Sequence, residues 1–217
     1  WMNPSALETL DQMPGNLQGI DGQAEQVALA TYGMVAVELQ GDAGEALNIA
    51  DGNTATLSMP VPPSMAANAP NTIPLWSYHE ELGLWVEEAT ANLQGDAYVG
   101  EVTHFSFWNC DIPMDYVNLE MTLEDVNGMA LNNYLVTLVL DNASNILTSG
   151  SGYTNQLGEV AGIVPANEVL NMSIKDWCGN TLSTQQIGPF SVDTDLGIIS
   201  LTGISSNTTT VTGNLLD

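Results

Sequence analysis

Short runs of alternating apolar and polar residues, separated by turn-forming residues, recur along the whole chain. In the first half the clearest run is residues 54–59, which alternates strictly and ends at Pro60, as a half-buried strand does. In the second half residues 117–123 alternate in the same way, and residues 134–140 form the most β-prone segment. One short helical turn is expected within residues 64–70, and no helix longer than two turns. The pattern predicts an all-β protein.

A β-hairpin is predicted near the middle of the first half. Residues 72–78 and 84–88 are two β-prone runs that flank a short turn at 79–83. Both runs carry aromatic residues, which are able to pair across adjacent strands. His79 and the glutamates after it fall in the turn, where an exposed position is expected.

The strand pattern stops after residue 112 and then restarts, which predicts two separate domains. Residues 1–112 are predicted to form a first β-sandwich and residues 113–202 a second, so the fold class is two consecutive β-sandwich domains. Residues 203–210 are small and polar, as linkers are, and residues 211–216 resemble the alternating run at 117–123. We therefore expect residues 203–217 to be a linker followed by the start of another module.

One stretch, residues 98–110, concentrates the scarce residue types. The whole chain has two histidines and two cysteines, and this stretch contains His104 and Cys110 together with Phe105, Ser106 and Trp108. We interpret it as the last strand of the first domain. Because side chains alternate along a strand, His104 and Ser106 would share one face while Phe105 would point to the other.

The charge of the chain excludes several partners. Among 217 residues, 26 are acidic and one is basic, giving a formal charge of −25. Nucleic acid and anionic membranes are therefore excluded as direct partners, because nothing neutralises the phosphates. No apolar run reaches the ~20 residues of a membrane span, so no membrane insertion is expected. With 44% apolar residues the chain nevertheless folds.

The acidity itself has two interpretations. The carboxylates either form a solvated, self-repelling surface or gather Ca²⁺, which prefers oxygen ligands. An Asp-x-Asp-x-Asp-Gly loop is absent. The calcium candidates are Asp193 with Asp195, and Asp42 with Asp51, and all of these also fit turns.

Cys110 and Cys178 are expected to form a disulfide, because two cysteines in an extracellular chain usually pair. Closing a loop of about 70 residues would stabilise the fold by roughly 4 kcal/mol. The alternative is two separate buried thiols. A metal site is not expected at either cysteine, because neither has a second ligand nearby in the sequence.

His104-Phe105-Ser106 resembles the self-cleavage site of the FIIND and UPA-type domains and, more distantly, the site of the GAIN domain. The resemblance implies that Ser106 is the nucleophile, His104 the base, and Phe105–Ser106 the scissile bond. A histidine suits that role because its ordinary pKa is near 6.5. The alternative is a strand whose aromatic face is core and whose His–Ser pair faces solvent. Cleavage would also need backbone strain.

No other enzyme motif is present. The chain lacks Gly-x-Ser-x-Gly, a phosphate loop and His-Glu-x-x-His. Glu87 and Glu88 are adjacent on a predicted strand and so point to opposite faces, which makes them poor acid–base partners. We therefore predict that the protein is not an enzyme.

Four blocks of the first half resemble known surface proteins. They are residues 31–39, 73–76, 83–88 and 98–110, which in this order look like a set found in large surface proteins of Bacteroidota. They are also similar to the β-domain shared with cartilage intermediate layer protein. This resemblance covers residues 1–112 and implies one or two further strands before Trp1.

The second half is similar to carboxypeptidase regulatory-like, transthyretin-like domains, which bind or act as spacers. Residues 152–160 match their Thr-Asp-x-x-Gly-x-Phe signature, with Asn155 in place of Asp and Val160 in place of Phe. The two resemblances together imply a structural or adhesive segment of a secreted, cell-surface protein, similar to gliding adhesins and other cargo of the type IX secretion system. Its expected partners are other modules of the same chain and other surface or secretion proteins.

A third hypothesis is a carbohydrate-binding accessory module. Such a module needs an exposed tryptophan platform, for which Trp76, Trp85 and Trp177 are the candidates.

Overall fold

Strands form nearly all of the regular structure. The computed structural model of the protein describes residues 2–3, 13–141 and 149–204. Its strands are β1 Gln18–Ile20, β2 Gln26–Ala36, β3 Leu39–Gln40, β4 Ala46–Leu47, β5 Ala55–Pro60, β6 Thr72–His79, β7 Leu84–Gln94, β8 Ala97–Val102, β9 Phe107–Met114, β10 Tyr116–Asp125, β11 Leu135–Leu140, β12 Ser149–Tyr153, β13 Glu159–Pro165, β14 Leu170–Lys175, β15 Thr181–Ile187 and β16 Thr194–Leu201. The predicted helical turn is confirmed as the 3₁₀ turn Ala66–Asn68. No helix in the described part of the chain is long and apolar enough to cross a membrane.

The predicted all-β fold class is confirmed. The predicted linker and next module span residues 203–217, of which residues 205–217 lie outside the described part of the chain. Trp1, before which further strands were expected, also lies outside it.

The first half is built on one seven-stranded sheet with the order β1-β2-β9-β6-β7-β8-β5. β1 also pairs in parallel with β7, through Gly19 with Trp85 and Ile20 with Val86. Strands β1, β2, β9, β6 and β7 therefore close into a ring, and β8 and β5 extend the sheet beyond it. The predicted hairpin is confirmed as β6 and β7, and Tyr78 lies opposite Trp85 with ring centroids 5.2 Å apart.

Two clusters of apolar side chains pack against this sheet. The ring cluster is supplied by the strands of the ring and the segments beside them and consists of Met2, Met13, Leu17, Leu29, Met34, Trp76 and Trp85. The outer cluster involves β5 and β8 as well and includes Tyr32, Leu57, Met59, Met65, Ile73, Leu75, Tyr98, Trp108 and Cys110. Alternation along β9 separates them, since Trp108 and Cys110 belong to the outer cluster while Phe107 packs on the ring cluster.

The second half is a sandwich of two sheets. One sheet has the order β13-β10-β16 and the other the order β12-β11-β14-β15. The alternating run of the sequence is β10, whose Val117, Leu119, Met121 and Leu123 all face the core. From the opposite sheet, alternate residues such as Val136 and Ile174 complete that core.

The structure corrects the prediction for residues 98–110. They form two strands, β8 and β9, joined by a turn at residues 103–106 that contains His104, Phe105 and Ser106. The reason is the pairing: β8 lies between β5 and β7, whereas β9 lies between β2 and β6, so the chain has to cross from one position to the other. The shared face proposed for His104 and Ser106 is therefore wrong.

Five turns in the fold share one hydrogen-bonding pattern. In each, the first residue donates its N–H to the carbonyl of the fifth, and the fourth donates to the carbonyl of the first. The fourth residue always has a left-handed φ, and these residues are Ala24 (67°), Gly44 (83°), Gly128 (77°), Gly158 (78°) and Gly179 (84°). In four of the turns the first residue is Asp or Asn, whose Oδ1 accepts two further backbone N–H groups, as Asp176 does from Cys178 and Asn180. This is the combination that stabilises tight turns.

We predict that Ala24→Gly stabilises the protein by about 0.5–1 kcal/mol, because the left-handed strain of an L-residue exceeds the entropic cost of glycine. The reverse change Gly44→Ala should destabilise it by a similar amount, since a Cβ there would meet open space. Gly158→Ala should cost more, because its Cβ would contact the carbonyl oxygen of Leu123. Urea unfolding measures all three, and a destabilised Ala24→Gly variant would contradict the expectation.

Candidate functional site

The turn between β8 and β9 holds a partly exposed contact between a carboxylate and an imidazole. Glu88, on β7, places Oε2 2.8 Å from Nε2 of His104, and each side chain is 35% exposed. The other carboxylate oxygen, Oε1, accepts a 2.8 Å hydrogen bond from the hydroxyl of Ser77 on β6. The imidazole also lies against the indole of Trp108, with ring centroids 5.0 Å apart. Glu88 therefore anchors the turn to the sheet.

A second side chain holds the backbone of the same turn. Oδ1 of Asn48 accepts a hydrogen bond of 2.7 Å from the N–H of Phe105, and Nδ2 of Asn48 lies 3.5 Å from the Phe105 carbonyl oxygen. Trp108 donates its indole N–H to the carbonyl of His104 at 3.2 Å. Neither Asn48 nor Glu88 was predicted to take part in this site. Asn48 is 57 residues from Phe105 in sequence, and no local pattern relates the two. For Glu88 the sequence indicates only a position on the predicted hairpin.

The chemistry of this arrangement differs from that of a nucleophile activated by a base. In a nucleophilic pair the base contacts the attacking hydroxyl. Here the carboxylate is in the middle, between the hydroxyl of Ser77 and the imidazole of His104. Within the described residues no hydrogen bond joins His104 to the hydroxyl of Ser106, and residues 103–106 have no left-handed φ. The structure thus brings His104 next to Glu88 and Trp108, and the described residues show no hydrogen bond between Ser106 and the imidazole.

A pair of buried polar side chains lies further along β9, at Asn109 and Asp111. Asn109 and Asp111 are both fully buried, and they alternate with Trp108 and Cys110, so they point to the same side as the ring cluster. Nδ2 of Asn109 donates to Oδ2 of Asp111 at 3.0 Å. Oδ1 of each residue is buried without a hydrogen-bond partner among the described residues. Burial raises the pKa of Asp111 to about 7, and the side chains of Thr31 and Asn109 partly oppose this rise.

The predicted disulfide between Cys110 and Cys178 is contradicted, because both cysteines are free. Cys110 is buried in the outer cluster of the first half, with its Sγ 3.9 Å from the sulfur of Met59. Cys178 is exposed in the turn between β14 and β15 of the second half. The two thiols thus lie in different halves of the chain, one buried and one exposed, and burial holds the pKa of Cys110 well above its usual value.

The three tryptophans proposed as a platform fall into two groups. Trp76 and Trp85 are fully buried in the ring cluster, so the prediction that they form an exposed platform is wrong. Their burial follows from the ring closure, since β6 and β7 direct both indoles inward. Trp177, in contrast, is 74% exposed in the turn after β14.

The calcium candidates make hydrogen bonds within the fold. Both carboxylate oxygens of Asp193 accept hydrogen bonds from Asn118, which hold the pKa of Asp193 below its usual value. Oδ1 of Asp195 accepts from the N–H of Gly197 at 2.7 Å. Asp42 and Asp51 are at the surface. Among the described residues, no three His, Cys, Asp or Glu side chains gather in a way that would hold a metal ion.

Comparison with known proteins gives distant structural likenesses. No family model and no curated protein matches the chain. Among solved structures, S.CueP shares 15% identity at a TM-score of 0.32, over 43% of this chain and 66% of that one. A streptococcal ancillary pilin shares 9% identity at a TM-score of 0.29, over 69% of both chains. A 9R-lipoxygenase from Cyanothece PCC8801 shares 13% identity at a TM-score of 0.25, over 44% of this chain and 18% of that one.

We predict that the chain stays intact at Phe105–Ser106. The turn lacks left-handed backbone strain, and the imidazole of His104 is engaged with Glu88. The purified protein should therefore show a single mass by mass spectrometry after denaturation. A fragment beginning at Ser106 would contradict this, and Ser106→Ala, which removes the hydroxyl, serves as the uncleavable reference.

We predict that Asp111 makes the fold less stable as the pH rises. Its folded pKa is about 7 and its unfolded pKa is about 3.9, so between those values the folded state keeps a proton that the unfolded state releases. The stability contributed by the protonated carboxyl is therefore complete below about pH 4 and lost by about pH 7, a change of about 4 kcal/mol. Asp111→Asn should reduce this dependence, because the amide cannot ionise.

The measurement is the free energy of unfolding in urea at about pH 5 and about pH 8, a range that brackets the folded pKa. Asp51→Asn is the matched control, because it removes one charge from an exposed position. Equal pH dependence in the parent protein and in Asp111→Asn would refute the assignment.

Proposed function

We propose that the two halves of the chain act together as one structural spacer, and the first observation in support is that a single residue connects them. β9 ends at Met114, β10 begins at Tyr116, and only Asp115 lies between them. The carbonyl of Asp115 accepts a 2.8 Å hydrogen bond from the N–H of Ala166, which follows β13. The connection is thus tied to the second half by a backbone hydrogen bond.

A second contact between the halves lies away from the connection in sequence. The side chain of Asn16 makes three hydrogen bonds with Ser151: Nδ2 donates to the Ser151 carbonyl at 3.1 Å, and Oδ1 accepts from the N–H at 3.0 Å and the hydroxyl at 3.4 Å. Leu17 and Ala28 of the first half also line one crevice together with Ile163 and Pro165 of the second. Two points of attachment restrict hinge motion more than one does.

We propose that the protein is a structural segment of a long secreted protein at the cell surface, in which two β units act as one stiff spacer. The observation that carries the proposal is the braced connection, with one linking residue and the Asn16–Ser151 contact beside it. A spacer has to hold its two ends at a fixed separation and to transmit force between them. A short connection between the two units, and strands that continue across this connection, both serve that purpose.

The charge and the sequence resemblances support the same function. A formal charge of −25 makes copies of the chain repel one another, which keeps a surface segment from self-associating. The resemblances to Bacteroidota surface proteins and to carboxypeptidase regulatory-like domains favour a stalk, fibre or gliding-adhesin segment. Its partners would be neighbouring modules and other surface or secretion proteins.

We predict a narrow distance distribution between the two halves. Spin labels placed on the native exposed Cys178 and on an introduced Ser58→Cys, also exposed, report that distance by double electron–electron resonance. Asn16→Ala should broaden the distribution, because it removes all three hydrogen bonds to Ser151.

Asn53→Ala is the matched control for this experiment, because among the described residues the Asn53 side chain bonds only within its own turn, to the carbonyls of Ala50 and Asp51. It should leave the distribution unchanged. A broad distribution in the parent protein would count against a stiff spacer.

A further inference from the structure

A groove on the second half is flanked by two exposed aromatic side chains. It has a volume of about 320 Å³, and its lining includes Asn133, Leu135, Tyr153, Lys175, Asp176 and Trp177. Ligand pockets in proteins occupy about 300–1,000 Å³, so the groove is at the small end of that range. Trp177 is 74% exposed and Tyr153 62% exposed.

Strand register builds the floor of this groove. Leu135 on β11 lies opposite Tyr153 on β12 and opposite Lys175 on β14, so these three residues form a row across adjacent strands. The next residues inward, Val136 and Ile174, are buried in the core of the sandwich. Because side chains alternate along strands, the row lies on the outer face of the sheet.

The turn after β14 fixes the position of Trp177. Asp176, immediately before it, accepts hydrogen bonds at Oδ1 from the N–H groups of Cys178 and Asn180, and at Oδ2 from the side chain of Asn180. These bonds hold the pKa of Asp176 below its usual value. Gly179 supplies the left-handed position that the turn requires. The indole therefore projects from a defined turn at the end of the row, and not from a long loop.

The polar groups of the groove are available to a ligand. Within the described residues, the ammonium group of Lys175 forms no ion pair and the side-chain amide of Asn133 forms no hydrogen bond. The carboxylate of Asp176 is already occupied by its turn. The groove thus offers one cation and one amide beside two aromatic rings, a set that can donate to and accept from uncharged hydroxyl groups.

The charge of the whole chain selects among ligand classes. A polyanion would be repelled by the formal charge of −25, which one lysine does not offset. The face of an aromatic ring carries negative potential and attracts the electropositive C–H groups of a partner. A sugar ring has a C–H face and a rim of hydroxyl groups, so it can stack on an aromatic side chain while its hydroxyls reach neighbouring polar groups.

We propose that this groove, with Tyr153 and Trp177 as its two aromatic contacts, binds neutral oligosaccharides. Trp177 and Tyr153 stack on sugar rings, and Lys175 and Asn133 donate hydrogen bonds to ring hydroxyls. The site is separate from the connection between the halves, so a spacer would carry the ligand site on its outer face.

The test is isothermal titration calorimetry of the full chain with cellohexaose, xylohexaose, mannohexaose and N-acetylchitohexaose, because this measurement does not depend on the fluorescence of Trp177. In a Trp1→Phe background, binding at Trp177 should also shift its fluorescence and protect it from acrylamide, because the three other tryptophans, Trp76, Trp85 and Trp108, are buried and contribute little to quenching. Trp177→Ala and Tyr153→Ala should each weaken binding of the responding sugar by about tenfold or more, as the loss of an aromatic contact does. Trp177→Phe should retain part of the affinity.

Leu157→Ala is the matched control, because Leu157 is 64% exposed on the same half but lies outside the groove. It should bind like the parent protein. The urea midpoint of each variant establishes that the fold is kept. The proposal is overturned if no probe binds at millimolar concentration, or if binding persists in Trp177→Ala. Binding of an oligolysine peptide that depends on Trp177, without any sugar binding, would also overturn it and would identify a basic peptide as the ligand.

Discussion

Alternation along β9 is the constraint on which the first half depends. The strand pairs with β2 on one side and β6 on the other, so every residue of its centre has neighbours on both edges. Trp108 and Cys110 face the outer cluster, while Asn109 and Asp111 face the ring cluster. A shift of one residue would exchange these sets and bury the two polar side chains among the apolar ones of the outer cluster. The same strand leads through Asp115 into β10, so its register also fixes where the second half begins.

The buried polar pair on β9, Asn109 and Asp111, lowers the stability of the fold but fixes the geometry of the side chains around it. A buried carboxyl group whose second oxygen has no partner loses hydration without full compensation, which explains the raised pKa of Asp111. The hydrogen bond from Asn109 recovers part of that loss. Trp76 donates its indole N–H to the backbone carbonyl of Asp111 at 3.0 Å, so the same residue also orients an indole of the ring cluster. Asp111 therefore links the polar and apolar parts of the ring interior.

Sequence reasoning succeeded where a signal was local. Strict alternation placed β5 and β10, and paired aromatic runs placed the β6–β7 hairpin. It failed where the outcome depended on distant partners. Residues 98–110 read as one strand, although the exchange of neighbours between β8 and β9 forces a turn there. β15 has no clear sequence signal, because most of its residues are polar and exposed, as they are on an edge strand. The Glu88–His104 contact and the hydrogen bond between Asn48 and Phe105 each join two segments that no local sequence pattern relates.

The tryptophans show that prediction of the functional residues is limited in the same way as prediction of the fold. On sequence alone, Trp76, Trp85 and Trp177 are equal candidates for a platform. Ring closure through β1 buries the first two, and this closure depends on a parallel pair of only two residues on each strand, which leaves no clear sequence pattern. Trp177 stays exposed because the hydrogen bonds of Asp176 hold it in a tight turn at the end of an edge hairpin. The exposed indole of Trp177 therefore lies in an ordered turn, beside the one lysine of the chain. At this position an otherwise acidic surface can bind an uncharged ligand, because stacking on the indole does not require an attractive charge.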